Sequence, residues 1–177
     1  MTQSAAQATT GQTDVLVIGW GKAGKTLAGA LGRAGRSVTI VEQSADMVGG
    51  TCINIGCVPT KALVHQAEER RPEDDPAAWF GRAVDARDAL ITKLNAANRQ
   101  MLEDVDAVRV VVGGRASFTG PRTVHVTGGA DELDIAAETV IINTGAVRAR
   151  STSPAPTARA STTRRRSSTH GPSRAAW

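Results

Sequence analysis

The sequence contains few cysteines, histidines and aromatic residues. Its 177 residues include two cysteines, three histidines and no tyrosine, and aromatic residues make up 3% of the chain. A structural zinc site would need further cysteine or histidine ligands close to these cysteines, but His65, His125 and His170 are scattered along the chain. No apolar run approaches the ~20 residues of a membrane-spanning helix. The composition therefore disfavours zinc-binding and membrane-spanning proteins.

Both ends of the chain lack the residues from which a core is built. Residues 1–13 have neither the basic start nor the apolar centre of a signal peptide, so we predict a disordered leader. All 17 acidic residues precede Thr139, whereas seven arginines lie at Arg148 and beyond, which gives residues 1–145 a net charge of −3 and residues 146–177 one of +7. After Val147 no aliphatic side chain is larger than alanine, which predicts a basic disordered tail over residues 148–177.

The two cysteines lie in a glycine-edged segment that runs from Gly49 to Lys61 and reads GGTCINIGCVPTK. Cys52 and Cys57 have the spacing C-x4-C, which can close a small disulfide ring, and no other cysteine competes for either sulfur. Pro59 is well placed to open a helix. The positive N-terminal end of a helix dipole favours the thiolate form of a cysteine near it. The spacing alone leaves two unpaired buried cysteines as the alternative to a reversible dithiol.

The whole segment resembles the active-site signature of the class I pyridine nucleotide-disulfide oxidoreductases, a flavoprotein family that includes dihydrolipoyl dehydrogenase, glutathione reductase and mercuric reductase. The resemblance implies that Cys52 is the thiol that exchanges with the substrate. It also implies that Cys57 lies against the flavin as the charge-transfer thiol and that the Lys61 ammonium lies near the flavin N5. Thr51 falls where the family contacts the FAD phosphates, and Gly50 and Gly56 let the backbone approach the flat ligand.

Residues 14–42 are typical of a dinucleotide-binding unit. The apolar run Asp14–Ile18 fits a buried parallel strand, a G-x-G-x-x-G turn and a helix through Ala34 follow, and the strand Ser37–Val41 ends at Glu42. Such a turn lets the backbone approach a pyrophosphate at the helix N-terminus, and the acid about 20 residues later binds the adenosine ribose. The predicted cofactor contacts are Gly19, Gly21, Lys22, Ala23, Gly24 and Glu42.

The same glycines also match the phosphate loop of a nucleotide hydrolase, because Gly19 to Thr26 reads G-x-x-x-x-G-K-T. Such an enzyme also needs an acid at the end of another apolar strand to hold magnesium, whereas the later apolar runs end in Gly113 and Asn143. A P-loop hydrolase is therefore the minor hypothesis, and Lys25 and Thr26 are predicted to lie on the helix surface.

The remaining pattern predicts helices over residues 61–69 and 77–102 and then a β-rich section. Its predicted strands are Val108–Gly113, Arg115–Phe118, Thr123–Val126, Leu133–Ala136 and Thr139–Asn143. By the same family resemblance, Arg115 and Ala116 contact the adenine edge through their main chain. Asn143-Thr144-Gly145 resembles the family's second flavin motif, A-T-G, which places Thr144 and Gly145 at the cofactor and puts Asn143 in place of the alanine.

These elements predict an α/β fold over residues 14–147, an incomplete Rossmann-like FAD-binding domain with a parallel sheet and a small β-meander. Within the family, the strings around Gly19 and Thr144 look similar to the reactive-chlorine-resistance flavoproteins, which reduce metal ions such as copper(II). The resemblance implies that electrons pass from NAD(P)H through FAD to the Cys52–Cys57 disulfide and on to a small-molecule disulfide or a metal ion. A cycling dithiol suits the cytoplasm and a role in cell redox homeostasis, and we expect no nucleic-acid or membrane partner.

The family enzyme also has an NAD(P)H domain and a dimerisation domain, whose His-Glu pair serves the partner's disulfide in the homodimer. A chain of 177 residues has room for one domain of ordinary size, so we expect an N-terminal fragment without these parts that is inactive alone. The alternative is a non-catalytic, FAD-binding remnant. Residues 151–177 can be back-translated in GC-rich codons whose alternate reading frame encodes I-P-G, V-Y-D-S-T and L-P. These strings resemble the sequence that follows the T-G motif in this branch of the family. We therefore predict a frameshift near residues 146–150.

Overall fold

The computed structural model describes residues 9–129 and 132–146. In chain order its strands and helices are β1 (Thr9–Ile18), α1 (Lys22–Arg33), β2 (Val38–Glu42), a short 3-10 turn (Ala45–Met47), α2 (Thr51–Asn54), α3 (Cys57–Glu69), α4 (Pro76–Glu103), β3 (Val108–Val112), β4 (Arg115–Gly120), β5 (Thr123–Thr127) and β6 (Leu133–Ile142). None of the described helices is both long and apolar enough to cross a membrane.

The strands form one six-stranded sheet in the order β3-β2-β1-β6-β5-β4. Strand β1 lies in the middle and runs parallel to β2 and β6, and β2 runs parallel to β3. Strands β4, β5 and β6 form an antiparallel meander that continues the same sheet. The predicted α/β class, with a parallel sheet and a β-meander, is confirmed.

Alternate side chains of β1 serve two separate cores, because successive residues of a strand point to opposite faces of the sheet. Val15 and Val17 pack with Trp20, with Ala28 of α1 and with Leu102 of α4. On the other face, Leu16 packs with Val124 and Val126 of β5 and with Leu133 and Ile135 of β6. Both faces are covered, as the continuous apolar run of β1 predicts.

Two predicted boundaries are wrong for the same physical reason. Residues 9–13, assigned to the disordered leader, belong to β1 and pair in register with Leu133–Ala137 of β6. The strands predicted over Leu133–Ala136 and Thr139–Asn143 are one strand, Leu133–Ile142. In each case hydrogen bonding to a neighbouring strand carries the strand through residues that are depleted in strands, Gly11 in the first and Ala137 and Glu138 in the second. The rest of the leader and the predicted tail over residues 148–177 lie outside the described residues.

Candidate functional site

The glycine turn after β1 is shaped by close contacts that leave no room for side chains. Gly19 has a φ of 99°, and a Cβ at this residue would collide with the Asn143 carbonyl oxygen. Gly21 precedes α1 in an extended conformation, and no side chain of the described residues caps the helix there. The first turn of α1 holds no acidic residue, and it contains the exposed Lys22. Its free N–H groups and positive end suit an anionic ligand.

Glu42 ends β2 beside this turn and is 8% exposed. Its Oε2 accepts a hydrogen bond from the Trp20 backbone N–H at 2.9 Å, and its Oε1 accepts one from the Ser44 backbone N–H at 3.0 Å. A carboxylate offers about four acceptor positions, so Glu42 can still accept hydroxyl hydrogen bonds. Sequence spacing predicts Glu42 as the ribose-binding acid, and the structure places it beside the glycine turn.

The corner between β3 and β4 lies against the same residue. The backbone N–H groups of Gly113 and Gly114 donate to the Glu42 carbonyl oxygen at 2.8 and 3.2 Å. Arg115 and Ala116 follow at the start of β4, with Arg115 exposed and Ala116 half-buried. The predicted adenine-edge segment is therefore brought next to the predicted ribose-binding acid.

The cysteine segment touches the glycine turn backbone to backbone. Gly50 has a φ of 78°, and a Cβ at this position would lie 2.7 Å from the Gly21 Cα and 3.1 Å from the Trp20 carbonyl oxygen. Two glycines 29 positions apart in the sequence therefore pack directly together. This contact joins the predicted phosphate-binding turn to the start of the dithiol segment.

The two cysteines begin successive helices and are free thiols in the structure. Helix α2 begins with the exposed Thr51, and the half-buried Cys52 is its second residue. Helix α3 begins with the exposed Cys57, which follows the half-buried Gly56. A hydrogen bond with Cys57 raises the pKa of Cys52, and burial and the Cys57 charge raise it further, whereas Lys22 and Lys25 oppose the rise. Lys61 is exposed one helical turn after Cys57.

Lys25 does not simply lie on the surface of α1, and that prediction is wrong. Its side chain is half-buried, and its ammonium donates to the Asn98 side-chain oxygen on α4. Burial lowers the pKa of Lys25, an effect that the neighbouring Cys52 opposes. Thr26 is exposed as predicted, and its hydroxyl donates to the Lys22 carbonyl at 2.8 Å. No local sequence signal links Lys25 to a residue 73 positions away.

Two further asparagines hold α2 in place, and sequence reasoning missed both. The Asn54 side-chain amide donates to the carbonyl oxygens of Val48 and Gly50, each at 3.0 Å. Its oxygen accepts a hydrogen bond from the Asn95 amide of α4 at 2.9 Å. The thiol-bearing turn is thereby fixed to the long helix α4.

Asn143 directly follows β6 and precedes Thr144 and Gly145, the two residues that the sequence predicts as cofactor contacts. Its Nδ2 donates to the carbonyl oxygens of Gly19 at 3.1 Å and Gly21 at 3.2 Å. Thr144 and Gly145 follow as exposed residues, and Gly145 has a φ of 75°. Gly19, Glu42 and Asn143 therefore meet at the carboxyl ends of adjacent parallel strands, which is where α/β sheets bind ligands.

The residues present fit FAD on the observations above. The uncapped N-terminus of α1 can receive a pyrophosphate. Glu42 keeps acceptor capacity for a ribose, and the dithiol segment abuts the same turn. All of the predicted site residues lie among the described residues, on this edge of the sheet or on the segment packed against it.

Comparisons with known proteins agree with this geometry. A family model described as pyridine nucleotide-disulphide oxidoreductase matches residues 13–172. The probable pyridine nucleotide-disulfide oxidoreductase RclA of Escherichia coli (strain K12) is 41% identical over 131 residues, which cover 74% of this chain and 28% of that protein. The dihydrolipoyl dehydrogenase of Halobacterium salinarum is 34% identical over 145 residues, covering 75% of this chain and 30% of that protein.

A solved structure agrees as well. The Cu(II) complex of the HOCl-induced flavoprotein disulfide reductase RclA from Escherichia coli superposes with a TM-score of 0.72 at 39% identity, covering 81% of this chain and 31% of that one. The chain spans less than a third of the length of each of these relatives. The predicted branch is confirmed by the similarity to RclA. By sequence and fold, the chain belongs to the pyridine nucleotide-disulphide oxidoreductase family, whose members are FAD-dependent flavoproteins that use NAD(P)H.

Proposed function

We propose that residues 9–146 form the FAD-binding part of a flavin-dependent disulfide or metal-ion reductase, with Cys52 and Cys57 as its redox-active pair. The observation that carries the proposal is the backbone contact between Gly50 and Gly21. It joins the anion-binding turn and the dithiol segment into one unit. A nucleotide hydrolase would have no use for this contact, because its chemistry needs no thiols.

Four groups of residues would hold the cofactor. The N-terminus of α1 would bind the pyrophosphate through Gly21, Lys22, Ala23 and Gly24, and Glu42 would accept hydrogen bonds from the adenosine ribose. The main chain of Arg115 and Ala116 would meet the adenine, and the flavin side would be bordered by Gly50, Thr51, Gly56, Thr144 and Gly145. When bound, FAD supplies a two-electron carrier between a reduced nicotinamide and a disulfide.

The chain's own residues would manage the sulfur chemistry. Cys52 is the proposed interchange thiol, and Lys22 and Lys25 both favour its thiolate form. Cys57 is the proposed charge-transfer thiol, and as the first residue of α3 it lies at the positive end of a helix dipole. Lys61, on the same helix, would stabilise negative charge on the reduced flavin ring.

The proposed substrates are a small-molecule disulfide or a metal ion. The solved RclA structure is a Cu(II) complex, and this favours Cu(II) as the first metal ion to test. NAD(P)H would supply the electrons, and a second subunit of a homodimer would complete the site. Both roles would depend on domains that the longer relatives contain. Neither NADH nor NADPH is expected to bleach flavin bound to this chain alone, because the sequence has one G-x-G-x-x-G turn and this turn is assigned to FAD.

Titration of the purified chain with FAD, followed by flavin fluorescence, tests the proposal. Glu42→Ala should weaken FAD binding about tenfold or more by removing the ribose acceptor. FMN, which has no adenosine, should lose much less affinity, because for this ligand Glu42→Ala removes only the hydrogen bond to the Trp20 N–H of the turn. Failure of the wild-type chain to bind FAD would refute the proposal, and equal losses for FAD and FMN would refute the role of Glu42.

The behaviour of the two thiols distinguishes the proposed reductase from a second candidate, a non-catalytic FAD-binding remnant. If Cys57 lies against the flavin, reduction of the FAD-loaded chain with dithiothreitol should produce a long-wavelength charge-transfer absorbance. Cys57→Ser should abolish this band and Cys52→Ser should keep it. Bound FAD without any such band in the wild-type chain would favour the remnant.

A further inference from the structure

Asn143 makes contacts that its place in a flavin motif does not require. Its backbone N–H donates to the Ile18 carbonyl at 2.8 Å, which fixes the end of β6 beside the end of β1. Its half-buried side chain then reaches over the glycine turn and donates to Gly19 and Gly21. One amide group therefore bonds two carbonyls of the turn that begins the proposed cofactor site.

The turn is folded closely around this side chain. A Cβ on Gly21 would lie 2.8 Å from the Asn143 Nδ2, and a Cβ on Gly24 would collide with the same atom. The first and second glycines of the motif thus accept its hydrogen bonds, and the second and third leave the space that it occupies. Asn143 and the three glycines form one packed unit.

The planarity of the peptide bond gives the Asn143 contacts a directional consequence. In a trans peptide the C=O and the next N–H point in opposite directions. The Gly21 carbonyl accepts hydrogen bonds from both the Asn143 amide at 3.2 Å and the Lys25 N–H at 3.1 Å, so the Lys22 N–H points away from them, at the uncapped start of α1. With the Gly19 carbonyl turned toward Asn143, the Trp20 N–H points away too, and it bonds Glu42 at 2.9 Å.

We propose that Asn143 is a positioning residue for the pyrophosphate of a bound dinucleotide. Its amide, together with the Lys25 N–H, orients the Gly21–Lys22 peptide so that the Lys22 N–H faces the anion. Asn143 and Glu42 also fix the Gly19–Trp20 peptide from opposite sides. Alanine at this position could not donate either hydrogen bond, and aspartate would set a carboxylate against two carbonyl oxygens. This inference rests on the proposed FAD-binding function.

Binding of ADP and FAD to Asn143→Ala and Asn143→Asp tests the inference, because ADP carries the pyrophosphate without the flavin. We expect Asn143→Ala to weaken both ligands about tenfold, and Asn143→Asp to weaken them more. Gln100→Glu, the same amide-to-carboxylate change at an exposed position of α4, is the matched control and should bind as wild type. Lower melting temperatures with unchanged ADP and FAD affinities would show a structural role alone and overturn the inference.

Hydrogen exchange of the ligand-free chain separates this inference from the proposed function. The Trp20 amide should exchange faster in Asn143→Ala than in wild type, because the peptide that carries it loses the Gly19 contact. Unchanged exchange would refute the orienting role whatever the chain binds. If the wild-type chain binds neither ADP nor FAD, the proposed function fails, and the ligand role of Asn143 fails with it.

Discussion

At the scale of single residues, side chains of two helices act on the Cys52 thiol in opposite directions. The hydrogen bond with Cys57 on α3 and partial burial raise its pKa, and the ammonium groups of Lys22 and Lys25 on α1 lower it. Lys25 is held in place by Asn98 on α4. The reactivity of this thiol is therefore set by side chains that the tertiary structure gathers.

Removing the Lys25 charge should raise the pKa of Cys52, because a nearby cation favours the thiolate. In Lys25→Met, iodoacetamide should therefore alkylate Cys52 more slowly at a fixed pH below this pKa. Peptide mass spectrometry over a pH series gives the Cys52 rate separately from that of Cys57. Lys93→Met removes an exposed charge on α4 and should leave the profile unchanged; an equal shift in both variants would contradict the specific effect.

Removing the Cys57 thiol should have the opposite effect. The hydrogen bond with Cys57 is the largest cause of the raised pKa of Cys52, so Cys57→Ala should lower that pKa. The alkylation profile of Cys52 should move to lower pH, with Cys57→Ser as a comparison that keeps a hydroxyl partner. A Cys52 profile that stays in place or moves to higher pH in Cys57→Ala would refute this assignment.

At the scale of elements, the joint between the glycine turn and α2 depends on backbone packing. Gly50→Ala places a methyl group 2.7 Å from the Gly21 Cα at a φ of 78°. This change should lower the free energy of unfolding by about 1–3 kcal/mol from the backbone conformation, with the clash adding to it. Gly81→Ala, at a helical position in α4 with open space around it, should instead stabilise the chain by about 0.5–1 kcal/mol. Urea unfolding of both variants checks the contrast; equal effects would contradict it.

The order of most elements follows from local pattern, whereas their extent does not. The apolar run at Val15, the glycines after it and the acid at Glu42 gave strand, turn, helix and strand correctly. The extension of β1 back to Thr9 could not be predicted, because its partners begin at Leu133. The contacts of α2 with Asn95 and of α1 with Asn98 were missed because nothing near those asparagines in the sequence marks them.

At the scale of the whole molecule, the central strand β1 couples two cores on opposite faces of the sheet. Leu16 is fully buried against the meander strands, so Leu16→Ala should lower the free energy of unfolding by about 2–5 kcal/mol. Val64→Ala, at an exposed position of α3, is the control and should cost much less. Thermal or urea unfolding measures both; a small effect at Leu16 would show that the meander does not depend on this core.

The sequence by itself determined the family chemistry, since a thirteen-residue thiol segment and a glycine turn require particular residues at fixed short spacings. It also determined the α/β class, because burial on both faces of a sheet leaves a continuous apolar run in β1. Only the tertiary structure decided that Gly50 packs on Gly21, that Lys25 lies near Cys52 and that Asn143 bonds the glycine turn. Those contacts join residues that are far apart in the chain. Such residues can form hydrogen bonds and pack closely only after the sheet and helices have brought them together.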